Sequence, residues 1–85
     1  MIVRFRGSVL EITDGEDSFE PGPCPDMRRL IDALTMRYGE SFSELINRSA
    51  CFFIVNGKGT MSTGGFDTPL KHGDKVEVLP LVEAG

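Results

Sequence analysis

Eighty-five residues, 40% hydrophobic and 26% charged, provide for one small core and exclude a second; the balance is that of a folded domain rather than a disordered tail. A formal net charge of −4 argues against nucleic acid as the partner, because binding a phosphate backbone rests on clustered Lys and Arg. Two cysteines are too few for a disulfide framework or a four-cysteine iron–sulfur site.

The first residues, Ile2 to Arg6, alternate. Val3 and Phe5 point one way and Ile2, Arg4 and Arg6 the other, the pattern of a half-buried strand. The segment lacks the long apolar block of a signal peptide, and no run approaches the ~20 apolar residues of a membrane span. The expectation is a cytoplasmic protein with reduced thiols and no membrane partner. From Ser8 to Asp17 the pattern is irregular, with a turn at Asp14-Gly15. "DSFEP" is a weak second strand, closed by "PGPCP", which no strand or helix interior tolerates.

Asp26 caps a helix in which Met27, Leu30, Ile31, Leu34 and Tyr38 share one face, and Gly39 stands where helices end. Ser41 to Asn47 hold one further turn, anchored by Leu45. "CFFIV", Cys51 to Val55, is the most apolar and β-prone stretch and reads as a central strand. Asn56-Gly57 then turns the chain into a short return strand through Met61, ended by Gly64-Gly65. A last turn at His72-Gly73-Asp74 leads into "KVEVLP", with Val76 and Val78 inward and Glu77, Leu79 and Leu81 outward.

The order β-β-α-β-β-β, with one main helix on one face of a mixed sheet of four to five strands, is an α+β two-layer solution. Burying Val3, Phe5, Val76 and Val78 under one helix face requires the first and last strands to lie side by side. A helix crossing a small curved sheet in this order is the β-grasp, or ubiquitin-like, arrangement. Residues 1–80 are expected to form the domain and residues 81–85 a flexible tail.

Catalytic constellations are sparse. His72 in a "KHGD" turn reads as a solvated loop residue, since a base needs a positioned partner. "NGKGT" lacks the spacing and the following helix of a phosphate loop. The carboxylates are scattered, and Cys24 and Cys51 read as structural. The chain is therefore not expected to be an autonomous enzyme or to bind a metal or cofactor. Leu79 and Leu81, joined by Phe52 and Ile54 on the sheet face away from the helix, form an apolar patch of the kind that marks a partner site. For Phe52, a place in a thin second core is the alternative.

"LKHGDKVEVLPLVEAG" resembles the closing motif of the ubiquitin-like sulfur carriers (the MoaD/ThiS-like family), where Leu-x-x-Gly-Asp-x-Val leads through a strand and a proline to a terminal Gly-Gly. The resemblance covers the whole chain: the first strand, "DMRRLIDALTMRYG", the "VNG" after the central strand, and Leu70, Gly73, Asp74, Val76 and Pro80. It is nearest to the small, non-catalytic subunit of molybdopterin synthase. The thiamine-pathway carrier is similar but usually shorter.

The resemblance implies that an ATP-dependent adenylating enzyme activates Gly85, and that a sulfur source then displaces AMP to leave a C-terminal thiocarboxylate. It implies a second partner, the large synthase subunit or another sulfur acceptor, in molybdenum or tungsten cofactor, thiamine or cysteine synthesis. A carboxylate needs a leaving group before sulfur attacks it. Five extended residues, Leu81 to Gly85, reach ~17 Å, and a terminal residue without Cβ obstructs a channel least. Val82, Glu83 and Ala84 would be the threading arm. Leu79 and the adjoining face would dock the partner, with Arg4 and Arg6 pairing with its acidic groups or discouraging edge association. Ala84 departs from the family's usual glycine. The competing reading is a ubiquitin-like interaction module with an inert tail.

Overall fold

The computed structural model describes residues 1–60 and 63–81. Strand β1 (Ile2–Phe5) follows the alternation, with Val3 and Phe5 buried and Arg4 exposed. The next stretch, expected to be irregular, winds one helical turn, α1 (Val9–Ile12). It forms because Val9, almost wholly buried, is drawn under the sheet while the Thr13 N–H closes the turn on the Val9 carbonyl at 3.2 Å. Asp14 and Gly15, both at positive φ, then reverse the chain into β2 (Ser18–Phe19), which pairs antiparallel with β1.

The main helix, α2 (Met27–Tyr38), starts where the Asp26 carboxylate accepts the Arg29 N–H at 2.9 Å, satisfying a donor that the first turn leaves unpaired. Met27, Leu30 and Leu34 are fully buried, and Ile31 and Tyr38 partly so. Gly39, at φ +81°, ends α2 and opens α3 (Glu40–Asn47). Here the structure corrects the sequence reading: α3 has eight residues, and its anchor is Phe42, fully buried, whereas Leu45 is only partly buried. Starting at Glu40 places Phe42 one turn ahead of Leu45 and Ile46 on the same face, and the bulkiest side chain takes the deepest position.

Strands β3 (Cys51–Val55) and β4 (Lys58–Gly59) are joined by Asn56 and Gly57 at φ +51° and +85°, as the hairpin turn requires. β4 is shorter than expected, and Met61 lies outside the described residues. A 3-10 turn, Gly65–Asp67, leads on to β5 (Lys75–Pro80).

The sheet order is β2-β1-β5-β3-β4. The last strand in sequence is therefore the middle strand in space, parallel to β1 (Val3↔Val76, Phe5↔Val78) and antiparallel to β3 (Phe53↔Val78, Val55↔Val76). Its inward valines meet Val3, Phe5, Leu30 and Leu34 in one core. This is the β-grasp arrangement, with the first and last strands side by side.

Two polar clamps hold the loops. Arg37 makes a bidentate pair with Glu16 (3.1 and 2.9 Å), the Tyr38 hydroxyl donates to the same carboxylate at 2.9 Å, and the guanidinium stacks on Phe19 at 4.5 Å. The second clamp joins two turns. The Asp74 carboxylate accepts from the Asn56 side-chain amide and from the Lys71 N–H, each at 2.9 Å, while Asn56 accepts the Lys75 N–H at 3.0 Å. The bond from Asn56, aided by that from Lys71, holds the Asp74 carboxyl below its ordinary value of 3.8.

Two outcomes follow for stability. Phe42→Ala costs about 3–5 kcal/mol, a large share of the ~5–15 kcal/mol typical of a domain, and lowers the urea midpoint accordingly. Asp74→Ala costs about 1–3 kcal/mol at pH 7, because it orphans two donors. A carboxyl with a depressed folded pKa stabilises fully above its unfolded value, and that contribution fades as pH falls through the folded value. The gap between wild type and Asp74→Ala in urea unfolding is thus constant above about pH 5 and narrows below about pH 4. A gap that is the same at pH 7 and pH 2.5 would exclude this role for the carboxylate.

Candidate functional site

The site is built at the end of β5. As the middle strand it is held along both edges, and its exit is fixed by two further bonds: the Arg6 N–H donates to the Val78 carbonyl at 3.0 Å, and the Leu81 N–H to the Ala50 carbonyl at 2.9 Å. Whatever follows Leu81 leaves from a rigid base at the sheet's centre. Val82, Glu83, Ala84 and Gly85, the expected threading arm and reactive end, lie outside the described residues.

The candidate docking residues separate into two groups. Leu79 and Phe52 are direct cross-strand partners, and Ile54 sits two pairs further along, opposite Glu77. All three are half-buried on the sheet face away from α2. The odd-even alternation that turns Phe53 and Val55 inward turns Phe52 and Ile54 outward. Arg4, in register with Glu77 from the other side, is exposed on this face. Arg6 is engaged within the chain, its Nε 3.3 Å from Glu77 Oε2.

Leu81 belongs to a different feature. It is 57% exposed and lines a groove of about 470 Å³ with Met27, Ile46, Cys51, Phe52 and Phe66. Phe66, 49% exposed at the rim, was missed in the sequence; its signal was a large aromatic in a Gly-Gly turn, where solvated residues are expected. Phe52 lines this groove as well as flanking the outer face, so it joins the two surfaces.

The thiols are quiet. Burial pushes Cys51 up to about 11, and burial, with the Asp26 charge second, raises Cys24. Neither is appreciably thiolate near neutral pH. His72 is an exposed turn residue, and among the described residues no cluster of three or more His, Cys, Asp or Glu could hold a metal ion. No helix among them is long and apolar enough to cross a membrane. A cleft of about 600 Å³ between Met1, Pro23, Cys24, Leu70 and His72 opens where β5 begins. That is a strand length, ~20 Å, from the exit at Leu81.

Among solved structures, the chain is similar to one in the Amycolatopsis orientalis BexX/CysO complex, with 24% identity, a TM-score of 0.82, and 99% of this chain and 98% of that one covered. CysO of Mycobacterium tuberculosis gives 23% identity and a TM-score of 0.81 over 95% and 98% of the two chains. The small archaeal modifier protein 1 of Methanosarcina acetivorans gives 19% and 0.77 over 99% and 94%. At these identities the likeness establishes the shared fold. No curated protein matches the sequence. The model of the ThiS family, however, matches residues 3–85, nearly the whole length from the first buried valine to the final glycine, and the chain belongs to that family.

Proposed function

We propose that this protein is a sulfur carrier: a co-substrate whose fold is a handle and whose reactive group is the Gly85 carboxylate. One observation carries the reading. The strand that leads to Gly85 is the middle strand of the sheet, bonded on the β1 side as far as Val78 and on the β3 side as far as Leu81, within a chain matched by the ThiS family. A tail that is to be gripped and threaded by another protein needs such a base, because force on it is shared across both ladders.

The chemistry is acyl activation. An ATP-dependent adenylating enzyme joins the Gly85 carboxylate to AMP and releases pyrophosphate. Hydrosulfide then displaces AMP to give the thiocarboxylate directly. A persulfide instead gives an acyl disulfide, which a thiol cleaves to the thiocarboxylate. In both routes the electrophile and leaving group lie at the tail, and the domain supplies no acid, base or metal.

Val82 to Ala84 are the arm, and Leu79, Leu81, Phe52 and Ile54 face the partner. That one structural relative was solved in a complex, BexX/CysO, supports a life in partnership. For the acceptor, the "LPLV" approach to the tail favours the large subunit of molybdopterin synthase, with thiamine or cysteine synthesis as the alternative destinations. Activation and transfer take place in the cytoplasm.

The test is the intact mass after incubation with the adenylating enzyme, ATP and a sulfide donor. The expected outcome is a gain equal to one oxygen exchanged for sulfur, lost on deletion of Gly85, with the thermal melt unchanged. If a Gly-Gly carrier is converted by the same enzyme while this chain stays at its starting mass, the tail is inert and the protein is an interaction module. With the thiocarboxylate in hand, incubation with each candidate acceptor enzyme identifies the pathway by which one removes the sulfur.

A further inference from the structure

We infer that the groove between α3, β3 and the 3-10 turn receives an apolar side chain of the enzyme that activates the tail, and thereby fixes how that enzyme is oriented on the carrier. The inference rests on the reading of Gly85 as the reactive end.

The first argument is length. Four residues follow Leu81, and fully extended they span at most about 14 Å. An active site closed around Gly85 therefore lies within that distance of Leu81. A protein large enough to enclose the glycine thus brings its surface within reach of the groove that Leu81 lines.

The second is the chemistry of the lining. Three large hydrophobic side chains stand exposed among the described residues, Met36, Phe66 and Leu81, and two of these three flank this groove. Its floor and walls add Met27, Phe53, Ile46 and Cys51. Among the described residues, none that lines it carries a formal charge. A charged partner group entering it would be desolvated with nothing to compensate, so the occupant is a leucine, methionine or phenylalanine side chain. At about 470 Å³ the space falls within the ~300–1,000 Å³ of sites that hold small ligands and accommodates such a side chain.

The third is that the rim is already fixed. The Arg28 guanidinium lies over the Phe66 ring, 5.6 Å from its centroid, and pairs with Asp67 at 3.3 Å. The Asp67 N–H donates to the Gly64 carbonyl at 3.0 Å, and the Thr68 hydroxyl to that of Gly65 at 2.7 Å. An aromatic held in place before binding loses little entropy when it is covered, which is the character of an interface hot spot. Among the described residues, the groove meets the outer sheet face at Phe52. A partner seated on both surfaces has its rotation about the tail determined, which a single flat patch would leave free.

The experiment uses the full chain and the ubiquitin-activating-like enzyme encoded in the same genome, with pyrophosphate exchange followed as carrier concentration varies. Phe66→Ser removes the rim anchor. Ser49→Asp places a charge in the groove at a positive φ that Asp tolerates, without touching the core. Met36→Ser removes an exposed apolar group outside the groove. Thermal melts confirm folding of each. The expected result is a rise of about tenfold or more in KM for both groove variants, with kcat within about twofold, and no change for Met36→Ser; tenfold is about the loss of one interface anchor. A KM for folded Phe66→Ser and Ser49→Asp within twofold of wild type would overturn the groove's role while leaving Gly85 as the reactive end. A wild-type chain that supports no exchange overturns the reading of Gly85, and the groove's role with it.

Discussion

Everything in this molecule depends on β5 being paired on both sides. A strand with one bonded edge frays from its end, but here the chain's last strand is bracketed by β1 in parallel and β3 in antiparallel register. The parallel pairing matters most. It requires the chain to leave β1, cross the sheet and return, and the crossover is the space in which α2 and α3 are built. Val76 and Val78 are fully buried as a consequence, each meeting a β1 partner on one side and a β3 partner on the other. The register that buries them also turns Leu79 outward beside Phe52, so core and candidate docking surface are two faces of one alternation.

The polar clamps serve the same strand. Asp74 and Asn56 tie the turn before β5 to the hairpin after β3, which fixes where β5 starts. The Leu81–Ala50 bond fixes where it ends. Between the two, a slip of one residue would exchange Val76 and Val78 for Glu77 and Leu79 in the core. The Arg37–Glu16–Tyr38 cluster works further out, holding the short β2 against α2 where two ladder residues alone would be marginal. Its charges are exposed, and its value lies in geometry more than in Coulomb energy.

Local periodicity made much of this legible. The alternation of β1 and β5, the stripe on α2, the Asp26 cap and the Asn56-Gly57 turn each follow from residues within a few positions of one another. The fold class followed from their order. What escaped was set by contacts distant in sequence. Val9 sits in a stretch with no period, and only the sheet above it makes a helical turn favourable. Phe42 and Leu45 are equally plausible anchors until the start of α3 is known, and Gly39 decides that. The groove could not be read at all, because Met27, Ile46, Cys51, Phe66 and Leu81 come from five separate segments. The apolar patch read from the sequence as a single surface is two, meeting at Phe52.

The quiet thiols fit this division of labour. On the proposed reading of Gly85 as the activated end, an acyl adenylate there would be a strong electrophile carried on the same chain as these thiols. Cys51 faces Pro80 across the sheet and so lies beside the base of the tail. With its thiol pushed up to about 11 by burial, it is protonated near neutral pH. On that same reading, burial suppresses attack on the activated glycine from within the chain. Cys51 stands at the start of β3, half-covered and packed against the core. The apolar burial that stabilises so small a domain also keeps this thiol in its unreactive form.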